Sequence, residues 1–248
     1  MKKVLTVYKN IGETPLECLE RIRSERQELV KERLSYAGRL DPMAEGVMLI
    51  LVGDENKERE KYLGLDKEYR VTILFGMETD TYDVLGLVTS KLVISKLEKS
   101  QIQKTLGEFK GKIMQKYPPY SSRTVNGKPL FVWAREGRIH EIEIPEHEIE
   151  IYSIEINNFE EIQTQELKKI IDEKLSKVHG DFRQEEIKKD WNDLFAHTKN
   201  ESWQTVTITV YCSSGAYMRS IAHEVGQKLR VGAIALHIVR TRIGETGL

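Results

Sequence analysis

The sequence predicts an α/β protein of the α+β type built around a mixed sheet, and three observations carry that expectation. Tyr69, Val71, Ile73 and Phe75 alternate with Arg70, Thr72 and Leu74, the period-2 pattern of a strand with at least one buried face. Val47-Met48-Leu49-Ile50-Leu51-Val52 is a short apolar run closed by Gly53, which suits a strand buried on both faces. Leu167, Ile170, Ile171, Leu175 and Val178 recur instead at helical spacing. Strand and helix patterns alternate irregularly along the chain, so a mixed sheet follows.

Taken in order, Val4-Leu5-Thr6-Val7-Tyr8 opens the chain as a strand. Thr14 is placed to N-cap a helix running to about Leu29, with Leu16, Leu19 and Ile22 on one stripe. The apolar run and the alternating run supply the next two strands. Ser100-Gln101-Ile102-Gln103 fits a capping box opening a short helix. Ile149, Ile151, Ile154 and Ile156 form a further strand whose phase slips near Tyr152, as a β-bulge would make it. From about Phe159 to Ser202 the character turns helical. The stripe from Leu167 to Val178 is followed by Ile187, Trp191, Leu194 and Phe195, with Gly180-Asp181 between the two. This predicts a helical hairpin at about 159–202, inserted before a strand through Val206, Ile208 and Val210.

The 248 residues are 40% hydrophobic and 31% charged, the composition of a soluble globular protein with a sizeable core. No apolar run approaches a membrane span, and Met1-Lys2-Lys3 leads straight into the first strand rather than an export signal, so a cytoplasmic protein is expected. Cys18 and Cys212 match no metal spacing and read as reduced thiols. His223-Glu224 opens no zinc-binding HExxH, because Gln227 stands where the second histidine belongs. A net charge of −1 argues against broad attraction to nucleic acid while leaving room for a local basic face.

One stretch stands apart: Tyr36-Ala37-Gly38-Arg39-Leu40-Asp41-Pro42-Met43-Ala44-Glu45-Gly46-Val47 sets a single carboxylate in a frame of glycines and a proline. Pro42 pushes Asp41 out of the helical region, and Gly38 and Gly46 permit turns or close backbone approach. Asp41 is expected in a turn at a sheet edge, where a carboxylate beside a buried strand needs a partner. Read alone, Asp-Pro between glycines is also an ordinary turn. The segment resembles the GxLDPxAxGV signature of the TruB-type pseudouridine synthases. Four more segments resemble the same family in the same order. They are Lys67-Glu68-Tyr69 with Gly76, Thr79-Asp80-Thr81, Asp83 and Gly86; Gln115 with Pro118-Pro119-Tyr120-Ser121 and Val125-Asn126-Gly127-Lys128; Ser214-Gly215-Ala216-Tyr217-Met218-Arg219-Ser220-Ile221-Ala222; and Arg240-Thr241-Arg242-Ile243-Gly244.

The resemblance implies the pseudouridine synthase catalytic fold over residues 1–248: a long mixed, mostly antiparallel sheet with flanking helices and an active-site cleft. The hairpin at 159–202 is then an insertion, and no C-terminal PUA domain is expected. The activity implied is stand-alone isomerisation of a uridine in structured RNA, by family analogy uridine 55 in the T-loop of tRNA. It needs no cofactor, metal, guide RNA or membrane, and the protein is expected to be a monomer. Asp41 is implied as nucleophile, Arg219 at a helix start as the cation that keeps it ionised, and Tyr69 as the ring stacked on the base that takes, or relays, the C5 proton. Lys9, Tyr36, Gly38, Arg39, Tyr217 and Ile238 are implied as substrate-binding, Ile238 lining the far side of the base. Two departures accompany these: Tyr36 stands where the family has a histidine that fills the space of the flipped nucleotide, and Lys9-Asn10-Ile11-Gly12 replaces Lys-Pro-x-Gly. A pseudouridine synthase acting on another RNA and a catalytically silent tRNA-binding chaperone stay open as alternatives. Lys168, Lys169, Lys174, Lys177, Arg183, Lys188, Lys189 and Lys199 lie outside the hairpin's apolar stripes and suggest a face docking on tRNA backbone, although Glu166, Asp172, Glu173, Glu185, Glu186 and Asp190 interleave with them.

Overall fold

A computed structural model describes residues 3–91, 96–198 and 201–247. The strands are β1 (Val4–Lys9), β2 (Leu34–Ala37), β3 (Ala44–Val52), β4 (Lys67–Phe75), β5 (Met77–Thr79), β6 (Val88–Lys91), β7 (Gly111–Lys116), β8 (Thr124–Val125), β9 (Lys128–Pro129), β10 (Glu146–Gln163), β11 (Ser202–Cys212), β12 (Ala233–Ile243) and β13 (Thr246–Gly247). The helices are α1 (Pro15–Glu25), α2 (Arg59–Leu63), α3 (Lys99–Gly107), α4 (Leu130–Arg135), α5 (Thr164–Ser176), α6 (Gln184–His197) and α7 (Met218–Leu229). The main sheet runs β1-β3-β12-β4-β11-β10-β7, with β2 added to β3 and β13 to β12. Among the described residues its pairings are antiparallel except β3 with β12, so the expected mixed, mostly antiparallel sheet is present.

That parallel pair sets up a seam. On one side of β3, β12 pairs with Ala44–Gly46 and β2 pairs with Leu49–Val52. Val47 and Met48 fall between the two partners, so the ladder cannot take the Val47 carbonyl. The buried Arg240 of β12 takes it, its Nε donating at 2.7 Å. The residues leading into β3, including Asp41, lie at this seam.

The sheet is covered on both faces. Tyr69, Val71, Ile73 and Phe75 of β4 pack in one cluster with α3 and α7, while Leu74 of β4 and Ile234 and Leu236 of β12 pack in another with α5 and α6. Helix α1 seals the β1–β3 end through Cys18, Leu19 and Ile22.

Several expectations need correction. Thr14 caps α1 with a full capping box, but the α-helix stops at Glu25, a short 3-10 turn carries the chain to Leu29, and Leu16 is 58% exposed rather than on the buried stripe. The cap of α3 is Glu98 with Gln101, two residues before the box read at Ser100. The bulge near Tyr152 is there, and a second follows Ile156. Strand β10 then continues to Gln163, paired with Ser202, so the insertion is a helical hairpin carried at the tips of two long arms, and its first helical residue is Thr164. Its supposed basic face is reduced. Lys174 is buried, Arg183 is paired with Asp80, and Lys168, Lys169 and Lys188 each pair with a carboxylate on their own helix. Lys199 lies outside the described residues.

Candidate active site

Asp41 sits in a turn between β2 and β3 that is fixed from three sides. Its own carbonyl accepts from Ala44 N at 3.0 Å, and the Pro42 carbonyl accepts from Gly12 N at 2.8 Å. Arg240 Nη1 and Nη2 donate to the carbonyls of Arg39 (3.1 Å) and Gly38 (3.4 Å). Gly46 is required by close approach: at φ +116°, a Cβ there would lie 2.2 Å from the Arg240 carbonyl oxygen. One buried arginine thus closes the seam and holds the backbone of the reactive turn.

Arg219 comes from the other end of the chain, in the first turn of α7. A cation at a helix N-terminus opposes the helix dipole and needs acceptors. It has three: Nε donates to Asp41 Oδ2 at 2.7 Å, Nη1 to the Thr81 carbonyl at 2.6 Å and Nη2 to the Tyr120 carbonyl at 3.3 Å. Asp83 Oδ2 lies 3.6 Å from the same Nε. Arg219 is 3% exposed; burial alone would disfavour its charge, but Asp41 and Asp83 outweigh that and keep the guanidinium protonated. The start of α7 is itself anchored by the buried Gln115, whose amide exchanges two hydrogen bonds with the backbone of Tyr217, at 2.8 and 3.1 Å.

The Asp41 side chain is 36% exposed and looks into a cavity of about 960 Å³. Gly38, Arg39, Tyr69, Tyr217 and Ile238 line it together with Asp41 and Arg219. Burial raises the pKa of the Tyr69 phenol, and burial with Asp41 nearby pushes Tyr217 up to about 12. Lys67 also lines the cavity, donating to the Leu63 carbonyl at 2.7 Å and to that of Leu65; burial and the nearby Arg240 lower its pKa to about 8.

The sequence that builds this site matches a family. The profile described as TruB family pseudouridylate synthase, N-terminal domain, matches residues 26–171. The chain belongs to the TruB family. Among its relatives, a tRNA pseudouridine synthase B of Aquifex aeolicus is 28% identical over 99% of this chain and 69% of its own length, and one from a Nostoc species is 30% identical over 97% and 67%. Of solved structures, a chain of a Cbf5-Nop10-Gar1 complex aligns over 97% of this chain and 48% of its own, with a TM-score of 0.59 and 19% identity. That likeness shows a shared fold.

Two residues that the TruB resemblance set against RNA are not among those lining the cavity. Lys9 is fully buried beside the cavity rather than in it, its ammonium donating to the carbonyls of Asn10 (3.0 Å) and Glu13 (2.6 Å). Tyr36 is partly buried and packs against the α1 cluster; the residues lining the cavity do not include it. Residues whose roles went unread are Lys67, Asp83, Gln115, Tyr120 and Arg240. A signal existed for two: Lys67 shares the inward phase of Tyr69 and Val71, and Arg240 shares that of Ile238, so each is a cation written into the buried face of a strand.

Proposed function

We infer that this chain isomerises a uridine of tRNA, at position 55 in the T-loop, to pseudouridine. Asp41 is the nucleophile, and the chain acts as a cytoplasmic monomer without a guide RNA. The single observation that carries the reading is the Asp41–Arg219 contact of 2.7 Å at the wall of an otherwise largely apolar cavity. The names of the relatives support tRNA as substrate. Among the described residues no helix is long and apolar enough to cross a membrane.

The reaction breaks the bond from ribose C1′ to N1 and makes one from C1′ to C5, while the C5 proton is lost and N1 gains one. The target nucleotide has to leave its loop to reach Asp41, and the cavity has room for it. Arg219 holds Oδ2 of Asp41; the carboxylate attacks C1′ as uracil departs, and C5 of the turned base then attacks C1′ and releases the carboxylate. Tyr69 and Ile238, both buried and both lining the cavity, form apolar walls between which the detached base turns. Because burial keeps the Tyr69 phenol protonated at neutral pH, its hydroxyl relays a proton rather than acting as a phenolate base.

The test is Asp41→Asn, which keeps shape and removes the charge. It should abolish conversion of a T-stem-loop RNA while leaving its Kd within roughly tenfold. Substantial turnover by this variant would remove Asp41 from the nucleophile's role.

A further inference from the structure

The insertion does not stand clear of the catalytic cavity. The turn between α5 and α6 reaches it, with Asp181, Phe182 and Arg183 in its lining. Arg183 has φ +62°, a left-handed conformation that a residue with a side chain adopts only when its surroundings impose it. Gln184 imposes it from within the turn, accepting from Phe182 N at 2.9 Å and donating to the Gly180 carbonyl at 2.6 Å. From outside, Arg183 Nη1 reaches Asp80 Oδ2 at 2.7 Å, and its guanidinium lies over the ring of Tyr120, 4.6 Å from the centroid.

Asp80 is a junction. Its Oδ1 accepts from Leu87 N at 2.9 Å, and its Oδ2 accepts the Tyr120 hydroxyl at 2.9 Å as well as Arg183. The next residue is Thr81, whose carbonyl receives Arg219 Nη1, and Tyr120 itself supplies the carbonyl that receives Nη2. Both backbone oxygens that aim Arg219 at Asp41 therefore belong to segments tied to Arg183.

We propose that the α5–α6 turn is a working wall of the catalytic cleft and that Arg183 is a positioning residue, fixing through Asp80 and Tyr120 the two carbonyls that hold Arg219 against Asp41. The inference rests on Asp41 and Arg219 being the reacting pair, and it goes further by giving the insertion a part in catalysis. Arg183 is a poor phosphate anchor in this arrangement, since Asp80 already neutralises its charge and Tyr120 covers its face.

Arg183→Ala, Arg183→Lys, Tyr120→Phe and the Arg183→Ala/Tyr120→Phe pair test it in single turnover on a T-stem-loop RNA labelled at C5. Arg183→Ala should slow the chemical step about 10- to 100-fold, with Kd and its salt slope unchanged to within about threefold. Tyr120→Phe should slow it in the same way, and the double variant should be little worse than Arg183→Ala, because both cut one tie to Asp80. Arg183→Lys, which pairs with Asp80 but cannot lie flat on Tyr120, should recover part of the rate. An unchanged rate in Arg183→Ala, additive losses in the double variant, or a weaker Kd with a shallower salt slope would each overturn the proposal, the last by making Arg183 an RNA contact. Crystal structures of the parent and of Arg183→Ala and Tyr120→Phe decide the point without activity: Arg219 retaining all three bonds in both variants refutes it. If the parent fails to convert uridine, the functional reading fails, and those structures still settle the positioning claim.

Discussion

Replacing Arg219 with lysine separates charge from geometry at the reacting carboxylate. The guanidinium meets three acceptors in divergent directions: Asp41 Oδ2 at 2.7 Å, the Thr81 carbonyl at 2.6 Å and the Tyr120 carbonyl at 3.3 Å. A lysine ammonium is shorter in reach and carries its donors on one atom, so it can satisfy Asp41 or the carbonyls but not all three. Leaving one buried acceptor unpaired costs about 1–3 kcal/mol, and weakening a charge-assisted bond costs a similar amount. A loss near 3 kcal/mol in the transition state corresponds to roughly 100-fold in kcat/KM. The assay is single-turnover release of the C5 hydrogen from labelled T-stem-loop RNA, with Kd measured alongside to isolate the chemical step. A loss under about threefold, beside an inactive Asp41→Asn, would falsify the view that Arg219 acts through directed hydrogen bonds rather than charge alone.

Three other outcomes are expected. Tyr69→Phe keeps the stacking face and removes the hydroxyl, so single-turnover rate should fall by at least about tenfold with RNA Kd nearly unchanged; weak binding with a normal rate would leave Tyr69 a platform only. Gly46→Ala places a methyl 2.2 Å from the Arg240 carbonyl at φ +116°, and denaturant titration should show a loss of at least about 2 kcal/mol. His223 stacks on Tyr82 with ring centroids 3.8 Å apart, and burial lowers its pKa from 6.5 to about 4. Between those values the unfolded chain binds a proton that the native state refuses, so this contribution is whole above pH 6.5 and is lost as pH falls through the window. His223→Phe should flatten the pH dependence of Tm between pH 7 and 5 by the equivalent of about 1–2 kcal/mol, allowing for partial solvent contact; an unchanged slope would place the acid sensitivity elsewhere.

What could be read from the sequence divides by the range of the forces involved. Alternation in β4, the apolar run of β3, the stripes of α5 and α6 and the slip at Tyr152 are local patterns, and each appears where expected. The Asp41–Arg219 pair joins distant segments, yet it was legible because each half lies in a motif that resembles one family. The burial of Lys9 and Lys174 was not legible, because it depends on how other segments pack around them. Lys9 is enclosed by the Asn10–Glu13 loop pressed against the reactive turn, and Lys174 lies on a helix that docks on the sheet. The packing of Tyr36 against the α1 cluster was not legible either, because alternation gives two faces but not what each one meets. Arg183 looked solvent-facing because its partner, Asp80, belongs to a different motif.

The seam in the sheet also dictates when activity can begin. Residues up to Val52 already contain β1, β2, β3, α1 and an apolar cluster of their own, so this part can assemble early during synthesis. The edge of β3 at Ala44–Gly46, however, waits for β12, made long afterwards, which also brings the arginine that pins Gly38 and Arg39. With synthesis at about 5–20 residues per second, the delay is on the order of 10–40 s. For that interval the nucleophile's turn lacks Arg240 and Arg219 alike, and an apolar strand edge stands open to wrong partners. The nascent enzyme is therefore silent toward RNA, and most exposed to aggregation, until β12 emerges.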